Sequence, residues 1–133
     1  MPARAFFDSN VLLYAISSDL RKAQRAEALS SDGGVVSVQV LNEFANVARR
    51  KHATPWDRIH RSLTSIRMLF EVEPLTLDVH ERGLRIAETL KFNIFHSLLL
   101  AAALKAECDV FWSEDMQHGQ ALEGRLTIRN PFL

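Results

Sequence analysis

The chain has 133 residues, 47% of them apolar and 24% charged, and its formal net charge is zero. That length and balance predict one folded domain over residues 1–133 and exclude a globally basic nucleic-acid binder. A single cysteine, Cys108, excludes an internal disulfide and points to a reducing, intracellular setting. Along the chain, strand-like runs fall at residues 5–7, 34–38, 110–112 and 126–128, with a weaker one at 70–73. Helical patterns fill the gaps. A helical turn is expected from Asn10 through Leu13, and Ser18 or Asp19 is placed to cap a helix over 20–30 that stops at Ser31-Asp32-Gly33-Gly34. A second helix is predicted over 38–51, and a third begins after Thr54 with Pro55 at its first position. Asp78 is placed to cap a fourth through Leu90, and Asn93 a fifth through Lys105, with His96 in its first turn. Strands alternating with helices at this spacing predict βαβ units around a central, mostly parallel sheet.

Met1-Pro2-Ala3-Arg4 lacks the pattern of a secretory signal. The longest apolar run, residues 98–104, is far shorter than the roughly 20 residues a membrane span needs. The expectation is a cytoplasmic protein with no membrane contact. Cys108, beside Asp109 at the start of a strand, reads as a half-buried structural thiol.

Three acids stand at predicted strand-to-helix or strand-to-loop junctions. Asp8 ends Ala5-Phe6-Phe7-Asp8, Glu43 lies one turn into the helix after Val35-Val36-Ser37-Val38, and Asp115 follows Val110-Phe111-Trp112-Ser113-Glu114. In open parallel sheets, ligand sites gather beyond the carboxyl ends of strands. Carboxylates meeting there, without a Gly-rich phosphate loop, predict oxygen ligation of a hard divalent cation. Such an ion polarises a phosphoryl oxygen and acidifies a water. Asn10 is placed to hold the Asp8 carboxylate or a water beside it. Glu43, Asn46 and Arg50 share one polar face of their helix, while Val40, Leu41, Phe44 and Val47 serve the core. Of the adjacent acids, Asp115 is assigned to the site and Glu114 to its rim, with Ser113 able to hydrogen-bond either. His118 reads as a loop residue. Ser9 has no base beside it, and no nucleophile–His–Asp arrangement is visible.

Charge is unevenly placed despite the neutral total. Residues 1–67 hold ten Lys/Arg against six Asp/Glu, and residues 68–133 hold six against ten. Arg49, Arg50, Lys51, Arg58, Arg61 and Arg67, with His52 and His60, are opposed over 49–67 only by Asp57. Phosphate recognition needs a local patch of this kind, so Arg49, Arg50 and Lys51 are candidate nucleic-acid phosphate contacts; a solvated pair of helix faces is the plain alternative. A receiver-like signalling domain also clusters acids at strand ends, but it expects a lysine after a late strand, and neither Lys91 nor Lys105 is placed for that.

Four stretches together resemble the PIN-domain family and, within it, VapC-like toxins of toxin–antitoxin pairs. They are Phe7-Asp8-Ser9-Asn10-Val11-Leu12, Gln39-Val40-Leu41-Asn42-Glu43-Phe44, Ile94-Phe95-His96-Ser97-Leu98-Leu99, and the segment from Cys108 to Gly119 that contains Trp112-Ser113-Glu114-Asp115-Met116. The resemblance spans essentially the whole chain. It implies a three-layer α/β/α domain that cuts RNA with Mg²⁺ or Mn²⁺, acting as a homodimer restrained by a small antitoxin. By position, Asp8, Glu43 and Asp115 match the family's acidic metal-site residues, Ser113 its small hydroxyl residue, and Asn10 the polar residue after the first Asp. The fourth match fails: where the family usually has an Asp opening the helix after an aromatic residue, this chain has His96. The departure leaves two expectations, a metal-dependent endoribonuclease in which His96 is itself a candidate ligand, and a weakened or inactive PIN domain that binds RNA or an antitoxin.

Overall fold

The computed structural model describes residues 3–133. Its elements run β1 (Ala5–Phe7), α1 (Ser9–Leu12) continued by a 3-10 turn (Leu13–Ile16), α2 (Leu20–Ser30), β2 (Gly34–Ser37), α3 (Val38–His52) and α4 (Trp56–Leu69). They continue through β3 (Phe70–Glu73), α5 (Leu77–Leu90), α6 (Ile94–Lys105), β4 (Val110–Trp112), β5 (Ala121–Leu122) and β6 (Leu126–Arg129). The strands form one sheet in the order β3-β2-β1-β4-β6-β5, with every pairing parallel except β5 to β6. Helices lie on both faces, giving three α/β/α layers.

The central strands are apolar because both of their faces are covered. Phe6 and Phe7 in β1, Val35 and Val36 in β2, and Phe111 in β4 are fully buried, and Phe6 stacks on Phe111 with ring centroids 5.2 Å apart. Helix α6 is buried from Ser97 to Leu104 and apolar all round, as a helix enclosed by other elements must be. Gly83 lets α5 approach α6 closely, since a Cβ there would meet Leu98 Cδ2 at 2.7 Å. Gly33 takes φ +81 in the turn into β2, where a side chain would strike the Leu69 carbonyl.

Boundaries moved where a side chain or a pairing overrode the pattern. The strand expected over 34–38 ends at Ser37, whose Oγ accepts from Val40 N–H at 3.3 Å and starts α3 without a loop. Thr76, not Asp78, caps α5, accepting from Val79 N–H at 3.4 Å, while Asp78 lies in the first turn and pairs with Lys105 at 3.2 Å. Pro55 is the cap residue of α4 and Trp56 the first helical one. Asp19 caps α2, and Asn93 caps α6 with bonds from Phe95 and His96 N–H. The two-residue β5 escapes sequence reading because it is specified by pairing with β6 alone. Cys108 is fully rather than half buried, and burial pushes its thiol up to about 12. Ile59 and Phe70 belong to the core, with Leu63 and Ile66 packed against it. Among the described residues, no helix is long and apolar enough to cross a membrane.

Candidate active site at the carboxyl ends of β1 and β4

Strands β1 and β4 are neighbours, with Phe7 opposite Trp112, so Asp8 and Ser113 leave the sheet side by side. Asp8 N–H donates to the Trp112 carbonyl at 2.9 Å, which fixes the start of α1 against the sheet. Asp8 has an extended backbone at the helix N-cap, yet its side chain makes no cap bond. Its carboxylate is held instead by tertiary partners. Ser113 Oγ donates to Asp8 Oδ2 at 2.8 Å, and Asn10 Nδ2 reaches the same oxygen at 3.3 Å.

Two small polar side chains tie the other acids to Asp8. Asn10 Nδ2 also donates to Asp115 Oδ2 at 3.0 Å, so Asp8 and Asp115 are no further apart than two hydrogen-bond lengths. Ser9 Oγ lies 3.4 Å from Asp8 Oδ1 and 3.2 Å from Glu43 Oε2 and links those two in the same way. Glu43 reaches this group because Ser37 starts α3 directly at the end of β2, and Gln39 one turn earlier steadies its other oxygen at 3.5 Å. The structure therefore gathers Asp8, Glu43 and Asp115 around Asn10, Ser9 and Ser113. Asn10 is itself held by Glu114 N–H, which donates to its Oδ1 at 3.2 Å and orients the amide.

The electrostatics follow from crowding and burial. Asp8 is 2% exposed, and desolvation raises its pKa, opposed by the Ser113 hydrogen bond and by His96 and reinforced by the Asp115 charge. Glu43 is raised by its own burial and then by the charge of Asp8. Among the described residues, no lysine or arginine forms an ion pair with Asp8, Glu43 or Asp115. The nearest basic group is His96 Nε2, 3.9 Å from Asp8 Oδ2 and beyond hydrogen-bond reach. Glu114 has partners of its own. Burial would raise its pKa, but Lys22 and Tyr14 hold it below the usual range, with Tyr14 Oη donating to it at 2.6 Å.

This donor set fits a hard divalent cation in kind: carboxylate oxygens lacking a cationic partner, with amide and hydroxyl groups beside them. Among the described residues no group of three His, Cys, Asp or Glu side chains is placed to hold a metal ion, so the fit is one of donor chemistry. His118 lies apart and accepts from Asn130 N–H at 3.0 Å.

Arg49, Arg50 and Lys51 form the last turn of α3 together with His52. Arg49 is committed locally, donating to the Thr54 carbonyl at 3.3 Å with its guanidinium 5.3 Å from the Trp56 ring. Lys51 and His52 line a cleft of about 340 Å³ that also touches Ser9, Asn10 and Asp115. Sequence reasoning missed Ser9 as a link between acids, and it missed Tyr14 and Lys22 as the partners of Glu114. Ser9 carried a signal, a hydroxyl between two polar residues in a first helical turn. The other two carried none, because their role depends on a contact about 100 residues away.

The sequence profile of the PIN domain matches residues 5–121. No curated relative matches the chain in sequence. Similar solved structures include a toxin–antitoxin complex from Klebsiella pneumoniae (TM-score 0.72, 19% identity, covering 96% of this chain and 97% of that one). Another is VapC20 from Mycobacterium tuberculosis, described as a sarcin–ricin loop cleaving toxin (TM-score 0.66, 19% identity, 80% and 86% covered). DNA-bound VapBC from Salmonella typhimurium superposes with TM-score 0.71 at 13% identity, covering 98% of this chain and 99% of that one. At such identities the likeness is one of fold.

Proposed function

The chain belongs to the PIN domain family, and on that premise we propose that it is a divalent-metal-dependent endoribonuclease, the toxin of a toxin–antitoxin pair. The observation that carries this reading is the group of three carboxylates linked by neutral donors and, among the described residues, lacking a lysine or arginine ion pair. Carboxylates crowded and desolvated in this way gain most from a bound cation. Asp8, Glu43 and Asp115 would hold Mg²⁺ or Mn²⁺, which when bound polarises the phosphodiester and acidifies a water. The chain's own part is positioning. Ser113 and Asn10 fix the Asp8 carboxylate, Asn10 spaces it from Asp115, and Ser9 spaces it from Glu43. The exposed basic end of α3, Arg50 through His52, supplies phosphate contacts that position a strand without reading its sequence, while Arg49 is held by Thr54 and Trp56. The similar solved toxin–antitoxin complexes support an antitoxin as partner, and the same reading takes the chain as one domain that acts in the cytoplasm as a homodimer.

A second reading rests on His96. It stands where the resemblance expects an Asp, and its Nε2 is the nearest basic atom to Asp8 at 3.9 Å. An imidazole there adds a nitrogen donor and removes a negative charge, which suits Mn²⁺ better than Mg²⁺. The weakened form of this reading is a PIN domain that binds RNA or antitoxin without cutting. Incubating the protein with RNA and Mn²⁺, Mg²⁺ or a chelator separates the two. Cleavage that needs a divalent ion and vanishes in Asp8→Asn supports the nuclease, whereas intact RNA with both ions but retained binding supports the second reading.

A further inference from the structure

Of the three acids, Asp115 stands on the least regular backbone. It is exposed in the irregular segment after β4, whereas Asp8 is buried at the end of β1 and Glu43 is built into α3. An exposed carboxylate on a loop keeps its place only if something else holds the loop. Ser113 is tied to β6 by its N–H, which donates to the Arg129 carbonyl at 3.0 Å. Between Ser113 and Asp115 lies Glu114, which is held from both ends. Its N–H donates to Asn10 Oδ1 at 3.2 Å, and its carboxylate accepts from Tyr14 Oη at 2.6 Å and from Lys22 Nζ. Lys22 Nζ also donates to Tyr14 Oη at 3.2 Å, closing a ring of three side chains. Phe132 covers that ring. Its centroid lies 4.9 Å from Lys22 Nζ, and it packs edge to face on Tyr14 with centroids 5.0 Å apart. Arg25 secures this neighbour in turn, since its Nε donates to the Pro131 carbonyl at 2.9 Å.

Such a pair contributes little to stability, because the Lys22 and Glu114 side chains are 35% and 26% exposed and solvent screens them. What it sets is geometry. Glu114 N–H fixes which end of the Asn10 amide points at the acids, because only Oδ1 can accept from it. Nδ2 is then left to Asp8, Ser113 and Asp115. We propose that Tyr14, Lys22 and Phe132 are positioning residues of the acidic site, anchoring Glu114 so that Asp115 and the Asn10 amide stay beside Asp8 for a divalent cation. The inference rests on the nuclease reading and adds to it a support that lies outside the acids. It also gives Lys22 a role opposite to the one its charge suggests. By charge alone a lysine beside an acidic group weakens cation binding, and its removal tightens it. As an anchor Lys22 strengthens cation binding, and its removal loosens the loop.

The test uses the full chain with Mn²⁺ alone as the probe. Isothermal titration reads the affinity, and hydrogen exchange without metal reads the order of residues 113–117. Lys22→Met should weaken Mn²⁺ binding by about tenfold, the scale on which groups that orient metal ligands act. It should also speed exchange over 113–117 while leaving β2 at its wild-type rate. Tyr14→Phe, which drops the hydroxyl but keeps the ring against Phe132, should act in the same direction severalfold, and Phe132→Ala less. Lys22→Arg, which can still pair with the carboxylate, should recover most of the affinity lost in Lys22→Met. A merely structural role would lower the melting temperature and move neither readout well below it. Tighter or unchanged Mn²⁺ binding by Lys22→Met, or wild-type exchange over 113–117 in that variant, overturns the anchor while leaving the nuclease reading intact. A wild type that binds no Mn²⁺ and cuts no RNA overturns the nuclease reading, and the anchor with it.

Discussion

The two ends of the parallel strands treat their carboxylates differently. At the amino ends, Asp109 accepts from Arg4 N–H at 3.0 Å, and Glu71 pairs with the Arg4 guanidinium at 2.6 Å. Arg4 Nε also donates to the Ala106 carbonyl at 2.6 Å, so one residue ties β1 to the chain on both sides. At the carboxyl ends, the described donors to Asp8, Glu43 and Asp115 are neutral serine, asparagine and glutamine groups, and Lys22 is held aside by Glu114. The amino end gives Glu71 a cation and Asp109 a backbone donor, whereas the carboxyl end holds its acids close together with neutral donors. Desolvated like charges are unfavourable in the folded chain, so the carboxyl end is arranged for a cation that arrives from outside rather than for stability.

The sharpest way to break that contrast is Asp8→Asn. Cleavage of RNA with Mg²⁺ or Mn²⁺ should fall to background, since Asp8 is the oxygen donor to which both other acids are linked. Stability should move the opposite way from activity. Burial raises the pKa of Asp8, and burial with the Asp8 charge raises that of Glu43. The folded chain therefore holds protons that the unfolded chain releases near pH 4. Where the folded state binds more protons, stability falls as pH rises. In chelator, the wild-type melting temperature should drop as pH climbs through that window, and Asp8→Asn should remove most of the drop. A wild-type melting temperature that rises over the same range would mean that these carboxylates are better solvated than their burial indicates.

Asn10→Ala tests the neutral donors. Removing the amide frees Asp8 Oδ2 and Asp115 Oδ2 together and leaves Glu114 N–H without its acceptor. Groups that orient ligands in this way typically change metal affinity or activity by about 10–100-fold, and a loss in that range is expected here. Isothermal titration with Mn²⁺ separates this effect from simple unfolding. An unchanged Mn²⁺ affinity would show that Ser113 alone positions Asp8.

How much of this was legible in the sequence depended on the range of the interaction. Alternating strands and helices, the Asp19 and Asn93 caps and the buried 98–104 run are local patterns, and local physics set them. The placement of acids at junctions was also readable, because a strand that ends in polar residues announces its own end. Contacts across the fold were not. Nothing near Glu114 in sequence announces Lys22, 92 residues earlier. Thr76 displaced Asp78 as a cap because Asp78 binds Lys105, a residue 27 positions later.

His96→Asp adds a carboxylate where the carboxyl end carries its nearest basic group. We expect a gain of about tenfold in Mg²⁺-dependent cleavage, the scale on which an outer partner of a metal site acts. The wild type should cut weakly with Mg²⁺ and better with Mn²⁺. Nuclease assays of both proteins with each ion check this. Full Mg²⁺-dependent activity in the wild type with no gain on substitution would show that Asp8, Glu43 and Asp115 suffice.

The smallest effect belongs to the amino end. Glu71→Gln removes one charge of the Arg4 pair while keeping a hydrogen-bond acceptor, and it leaves the Arg4 bonds to Ala106 and Asp109 in place. Substituting Arg4 instead would break all three and confound the result. The paired side chains are 41% and 54% exposed, so solvent and salt screen the attraction. Exposed pairs of this kind contribute about 0.2–1 kcal/mol, and a loss at the low end is expected because the acceptor geometry survives. Denaturant unfolding at low and high salt reads it, and the small difference from wild type should shrink as salt rises. RNA cleavage should be unchanged, since the pair lies at the opposite end of the strands from the acids. A loss of activity in Glu71→Gln would show that the two ends are coupled through β1 and β4, and the division of labour between them would fail.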